Sequence, residues 1–137
     1  MSVETIGKEL PALFAALMVA ILFLQSGLDK VFDWKGNLGW ISGHFEKSPL
    51  AGMVPVLLGI ITIMETATGV LAAVGSIYFL VSGSLLIIFC SGVLGAASIT
   101  ALFFGQRMAK DYPGAAVLVP YFILLLILVY LANPFTR

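Results

Sequence analysis

Apolar residues in this chain come in long blocks rather than in short alternations, at about 10–28, 50–74, 77–105 and 115–132. Each block is close to or longer than the ~20 helical residues that cross a hydrocarbon layer of roughly 30 Å. They read as four spanning helices. The expected fold class is all-α: a polytopic four-transmembrane-helix bundle, one membrane domain over residues 1–137.

The first block follows Lys8 and carries Pro11 in its first turn, where a missing N–H costs nothing. A signal peptide is the competing reading. The run is long for one and no A-x-A-like site follows, so a span is expected. The second block, LAGMVPVLLGIITIMETATGVLAAV, ends at Gly75 and Ser76, an uncharged link short enough to force the third helix back antiparallel. The third block is rich in small residues, with Ser91 and Gly95, and Gly92 and Ala96, four apart on one face. Such pairs let helix backbones approach in lipid, so this is the expected central packing helix. The fourth block starts after the turn signal Pro113-Gly114, contains Pro120 as an expected kink, and ends near Tyr130, a residue suited to the membrane interface.

Most charge sits in the loop at 29–48, with Asp29, Lys30, Asp33, Lys35, His44, Glu46 and Lys47 interleaved with Phe32, Trp34, Trp40 and Phe45. Leu38, Ile41 and Phe45 fall on one face of a helix. A short interfacial helix between spans one and two is expected, an irregular aromatic loop being the alternative. A second polar loop, QRMAKDYPG, lies at 106–114. Four spans place both polar loops on one side. Lys30, Lys35, Lys47, Arg107 and Lys110 stand there against Lys8 and Arg137, which favours a cytoplasmic location for the loops. If Lys30 and Arg107 face the bundle, three remain against two and the orientation stays open.

Composition agrees: 61% of residues are hydrophobic and 10% charged, more apolar surface than a water-soluble domain of this size could hide. Net charge is zero with no basic run, so nothing marks a nucleic-acid partner. One cysteine, Cys90, excludes an internal disulfide or CxxC centre. One histidine, His44, excludes a bis-histidine haem within one chain.

Glu65 is the residue that breaks the pattern. It lies about 5 Å past the centre of the second block by helical rise. A carboxylate there costs on the order of 2.5–3.5 kcal/mol on insertion scales, so it needs a partner or a proton. With spans ending level at the loop side, Lys30 sits roughly 22 Å from Glu65, too far for contact. The depth-matched partners are then Cys90, Ser91 and Tyr121. Nearer the loops, Gln25, Lys30 and Arg107 form a second expected cluster, suited to an anionic headgroup or a quinone carbonyl. The bland alternative is that Glu65 staples helices while Lys30 and Arg107 snorkel to headgroups.

The segment from Gln25 through Ser26, Gly27, Leu28, Asp29 and Lys30 to Phe32 resembles the G-x-x-K element closing the first helix of DoxX/DoxD-like membrane proteins. Met64-Glu65-Thr66-Ala67-Thr68-Gly69 resembles that family's glutamate-containing second helix. The aromatic loop between them, the four spans and the length also fit. Gly27, Lys30, Glu65 and Gly69 carry over residue by residue; where relatives often have a histidine or other polar residue ending the third helix, this chain has Gly105-Gln106-Arg107. The resemblance implies a bacterial cytoplasmic membrane and a small accessory subunit of a quinone-linked redox complex. A chaperone or assembly factor for other membrane proteins is the alternative it implies. Membrane lipid, other membrane subunits or a second copy are the expected partners, and quinone or bound lipid the expected ligand. A small transporter using Glu65 as a relay ranks below both, for want of other polar residues to line a path. Standalone catalysis is not expected, since the chain offers no nucleophile–base pair or nucleotide loop.

Overall fold

The structure, a computed structural model, describes residues 2–136; Met1 and Arg137, the latter counted above in weighing the orientation, lie outside the described residues. In chain order the helices are α1 (Val3–Lys8), α2 (Leu10–Phe32), α3 (Trp34–His44), α4 (Val54–Ser82, preceded by a 3-10 turn at Ala51–Met53), α5 (Leu86–Met108) and α6 (Tyr112–Ala132). A final 3-10 turn covers Pro134–Thr136. The fold is all-α. Helices α2, α4, α5 and α6 are long and apolar enough to cross a membrane, and the chain is an integral membrane four-helix bundle.

The spans begin and end elsewhere than hydropathy suggests, most clearly at the second turn. Gly75 and Ser76 do not end a helix; both lie inside α4, which runs 29 residues to Ser82. Ser76 is neutral to the helix because its hydroxyl donates back to the Ala72 carbonyl at 2.8 Å. Gly75 is where α5 comes closest, since a Cβ there would lie 2.8 Å from the Ile88 backbone nitrogen. The chain reverses eight residues later. Gly83 adopts φ 78, the left-handed conformation that favours glycine, and its N–H donates to the Phe79 carbonyl.

At the opposite end, α5 closes with a Schellman arrangement. Lys110 takes φ 61, its N–H bonds the Arg107 carbonyl, and the Asp111 N–H bonds the Gln106 carbonyl at 2.9 Å. Asp111 then caps α6 by accepting from the Gly114 N–H at 2.9 Å. Pro113 falls in the first turn of α6, and the helix continues through Pro120 to Ala132.

Helix α2 packs on α4, α4 on α5 and α5 on α6, and a smaller contact between α2 and α6 closes the ring. The inner face of α2 is mostly alanine (Ala12, Ala15, Ala16 and Ala20), while its large residues Phe14, Met18 and Ile21 face outward. This inversion of the soluble pattern follows from the solvent. Lipid tails are as apolar as leucine, so helices associate by close fit rather than by hiding grease. Gly69 meets Leu24, Gly92 meets Val129, and Gly95 fits between Leu125 and Thr68. Ser91 is fully buried and bonds the Ile88 carbonyl.

Gly69 gives a test. A Cβ there would stand 2.6 Å from the Leu24 backbone nitrogen, so Gly69→Ile should force α2 off α4 and cost about 1–3 kcal/mol. Gly59→Ala, where a Cβ meets only Trp34 at 3.9 Å, should leave stability within about 0.5 kcal/mol of the parent. Unfolding of both variants in mixed micelles would measure the difference.

Candidate functional site

The site begins with a register. Gly27 lies against Thr66 and Gly69 against Leu24, so α2 and α4 run antiparallel with residue 27 level with residue 66. Phe32, the last residue of α2, is therefore level with residue 61. Helix α4 starts seven residues earlier, at Val54, and projects about 10 Å beyond the end of α2. Gly95 against Thr68 places Glu65 level with Ser98, close to the middle of α5.

This register brings Lys30 to Glu65. The expectation that they lie too far apart is overturned, because it took the loop-side ends of the spans to be level and they are not. Lys30 is level with residue 63, two residues or about 3 Å from Glu65 in depth, well within a lysine's reach. Its Nζ stands 3.1 Å from Glu65 Oε2. Ser26 completes a triangle: its hydroxyl donates to the same Oε2 at 2.5 Å, and Lys30 Nζ donates to Ser26 Oγ at 2.9 Å. Ser26 and Lys30 are four apart on one helix, so they present neighbouring polar groups to one point on α4. Glu65 is 2% exposed and the Lys30 side chain 15%. Gly27 makes the approach feasible, for a Cβ on it would collide with Thr66 Oγ1 and lie 2.9 Å from the Thr66 backbone nitrogen. Thr66 Oγ1 is buried without a hydrogen-bond partner among the described residues, and the Gly27 Cα–H directed at it is a weak donor.

The partners expected for Glu65 stand elsewhere. Cys90 is exposed on the bundle surface, and the Ser91 hydroxyl is committed to Ile88. Both lie at the middle of the expected third block, 77–105; α5 starts only at Leu86, which moves its middle to residue 97, and Gly95 against Thr68 sets Ser98 level with Glu65. Tyr121, half-buried on α6, does share the depth of Glu65, yet the hydrogen bonds of Glu65 go to α2. The cluster expected of Gln25, Lys30 and Arg107 does not assemble. Gln25 is exposed on the outer face of α2, and Arg107 lies over the Tyr112 ring at 4.5 Å.

Because α2 stops short, a recess opens above Lys30 beside the projecting start of α4. Helix α3 covers it. Asn37 ties α3 to the end of α2 by donating to the Asp33 carbonyl at 2.9 Å. At its far end, His44 Nε2 stands 2.7 Å from Gln106 Oε1 and 3.4 Å from Asp111 Oδ2, and the imidazole stacks on Trp40. Phe45 rests on Gly105. Under this cover is a cleft of about 500 Å³ between α3, α4 and α5. Lys30 lies at its inner end and Asn37, Trp40, His44 and Gln106 supply its polar edge; Ile41, Leu57, Leu58 and Ile61 make much of the rest apolar. Ser26, His44 and Gln106 belong to this site, although none of them was among the expected site residues. Spacing could have found Ser26, four residues before Lys30; nothing local signals that His44 meets Gln106 across 62 positions.

Compared with protein-family models, with curated proteins and with solved structures, the chain matches none.

The pair can be tested by double substitution. Lys30→Met strands Glu65 and Glu65→Leu strands Lys30, and each should cost about 3–5 kcal/mol of unfolding free energy. The Lys30→Met/Glu65→Leu double variant should recover most of that loss. Losses that simply add would show that the two side chains are not energetically coupled.

Proposed function

We propose that the chain is a non-catalytic membrane subunit that holds a lipid-soluble, carbonyl-headed ligand of the quinone class for a partner redox complex. The observation that carries this reading is the cleft: an apolar void of about 500 Å³ with an ammonium group at its inner end and a polar edge. Its size and lining suit a small amphipathic molecule. Depth favours a quinone over a phospholipid headgroup. Lys30 is level with residue 100 of α5, about 5 Å from the middle of that helix, where a diffusing quinone ring can reside and a phosphate cannot.

The donors fit such a group. Lys30 gives Glu65 and Ser26 its two short hydrogen bonds, and its third approach, to the Ser26 carbonyl, is 3.5 Å long. That third N–H is the one a ligand carbonyl can take. Trp40 at the edge offers its indole N–H to the opposite side of a ring, and the aliphatic walls accept an isoprenoid tail. A bound quinone supplies electron and proton acceptance; the chain's own residues bind, orient and exclude water. Glu65 and Ser26 act as positioning groups, fixing Lys30 Nζ at one place.

The DoxX-like positions support the same reading. Gly27, Lys30, Glu65 and Gly69 all fall on the contact between α2 and α4: the glycines permit the close approach and the charged residues meet across it. The fourfold sequence likeness thus falls on one helix contact, and through Lys30 it reaches the cleft.

The experiment is extraction from the native membrane in mild detergent, followed by mass spectrometry of lipids and co-purifying proteins. Quinone near one per chain, together with redox subunits, is expected. Leu57→Trp, which fills the cleft without touching Lys30, should reduce bound quinone at least tenfold at unchanged protein yield. Quinone-free protein, or equal quinone in the parent and Leu57→Trp, would remove the reading.

A further inference from the structure

Gln25, excluded from the cleft, stands in an unusual place. It is level with Thr68 of α4 and Gly95 of α5, near the middle of the bundle, and it is exposed on the outer face of α2. No hydrogen bond to its side chain is formed among the described residues. A primary amide facing hydrocarbon at that depth has no water to satisfy it.

The surroundings of Gln25 form a stripe. Phe14, Met18, Ile21, Gln25, Leu28 and Phe32 follow one another at spacings of four, three, four, three and four residues, and all are exposed. Alternating steps of three and four are the seam of a left-handed helix pair, and a single amide within such a seam sets register and partner number. Among the described residues the seam has no occupant, because α2 turns its alanine face to the bundle.

We propose that this stripe is a parallel self-association surface, through which α2 of one copy pairs with α2 of a second copy about a two-fold axis along the membrane normal. The argument for a second copy is complementarity of partial charge and of depth. A glutamine amide carries a donor and an acceptor, so it is its own complement. All copies of one membrane protein insert in the same orientation, so a parallel pair places Gln25 at the same height in both. Two amides then exchange hydrogen bonds across the axis, while Ile21 and Leu28 pack on either side. An unrelated partner would need its own polar group at that depth.

The test uses the full chain in phosphatidylcholine vesicles, with donor- and acceptor-labelled copies diluted over a range of protein-to-lipid ratios. Gln25→Leu should weaken association at least tenfold, and Gln25→Asn, which keeps the amide, should restore most of it. In a Cys90→Ser background, Ile21→Cys and Leu28→Cys should form intermolecular disulfides in native membranes, and Ile63→Cys, exposed on α4, should not. Three results would overturn the proposal: energy transfer unchanged by Gln25→Leu, crosslinking at Ile63→Cys as efficient as at Ile21→Cys, or a monomer at every ratio.

Discussion

A lysine and a glutamate held together inside hydrocarbon tie the first span to the second more specifically than apolar packing could. Apolar packing between α2 and α4 tolerates sliding, since lipid and helix surface are chemically alike. The contact of Lys30 with Glu65 does not, because a shift of one helical turn would leave each charge without its partner in a medium that cannot solvate it. The register follows from that constraint, and glycine makes it attainable: Gly27 and Gly69 bring the backbones near enough for Ser26 and Lys30 to reach one carboxylate oxygen.

From the register comes the cleft. Helix α2 has 23 residues and α4 has 29, and with Lys30 fixed to Glu65 the difference collects at the loop end. The chain fills that gap by folding α3 back over it and fastening the far end through His44 to Gln106 and Asp111. The recess is thus a by-product of two unequal helices, the shorter pinned by its last turn and the longer nearer its middle. Polar side chains reach it from three separate elements, which is why its inner end is charged, its walls are aliphatic and its edge is mixed.

Much of the architecture was legible in the sequence, because block hydrophobicity is a strong signal when the solvent is lipid. Four spans, the short helix between the first two and the importance of Glu65 as a buried charge could be read from it. The turn at 83–85 could not, for a specific reason. Gly75-Ser76 looks like a break by the rules of water-soluble proteins, whereas in a membrane those residues are packing surface, and the real reversal, at Gly83, lies inside what hydropathy shows as the third block. One misplaced turn then carried Cys90 and Ser91 to the depth that Ser98 occupies. The separation of Lys30 and Glu65 failed differently. Hydropathy reports how long each span is but not how one is offset against the next, and offset is decided by contacts such as Gly27 on Thr66. Gln25 and Arg107 illustrate the same gap: both are polar and near the right loop, but helical phase turns them away from Lys30.

The link between α4 and α5 has a bearing on how the protein is made. Gly83, Ser84 and Leu85 carry no charge, and the Ser82 and Ser84 hydroxyls already accept hydrogen bonds from nearby backbone N–H groups. Such a hairpin can pass its tip through the bilayer with little polar group to dehydrate, so α4 and α5 are able to enter together during synthesis. By then α2 has left the ribosome and Lys30 is in place. Glu65 therefore meets its counter-ion as it enters the lipid instead of waiting there alone, and the most expensive residue in the chain is delivered to a site prepared ahead of it.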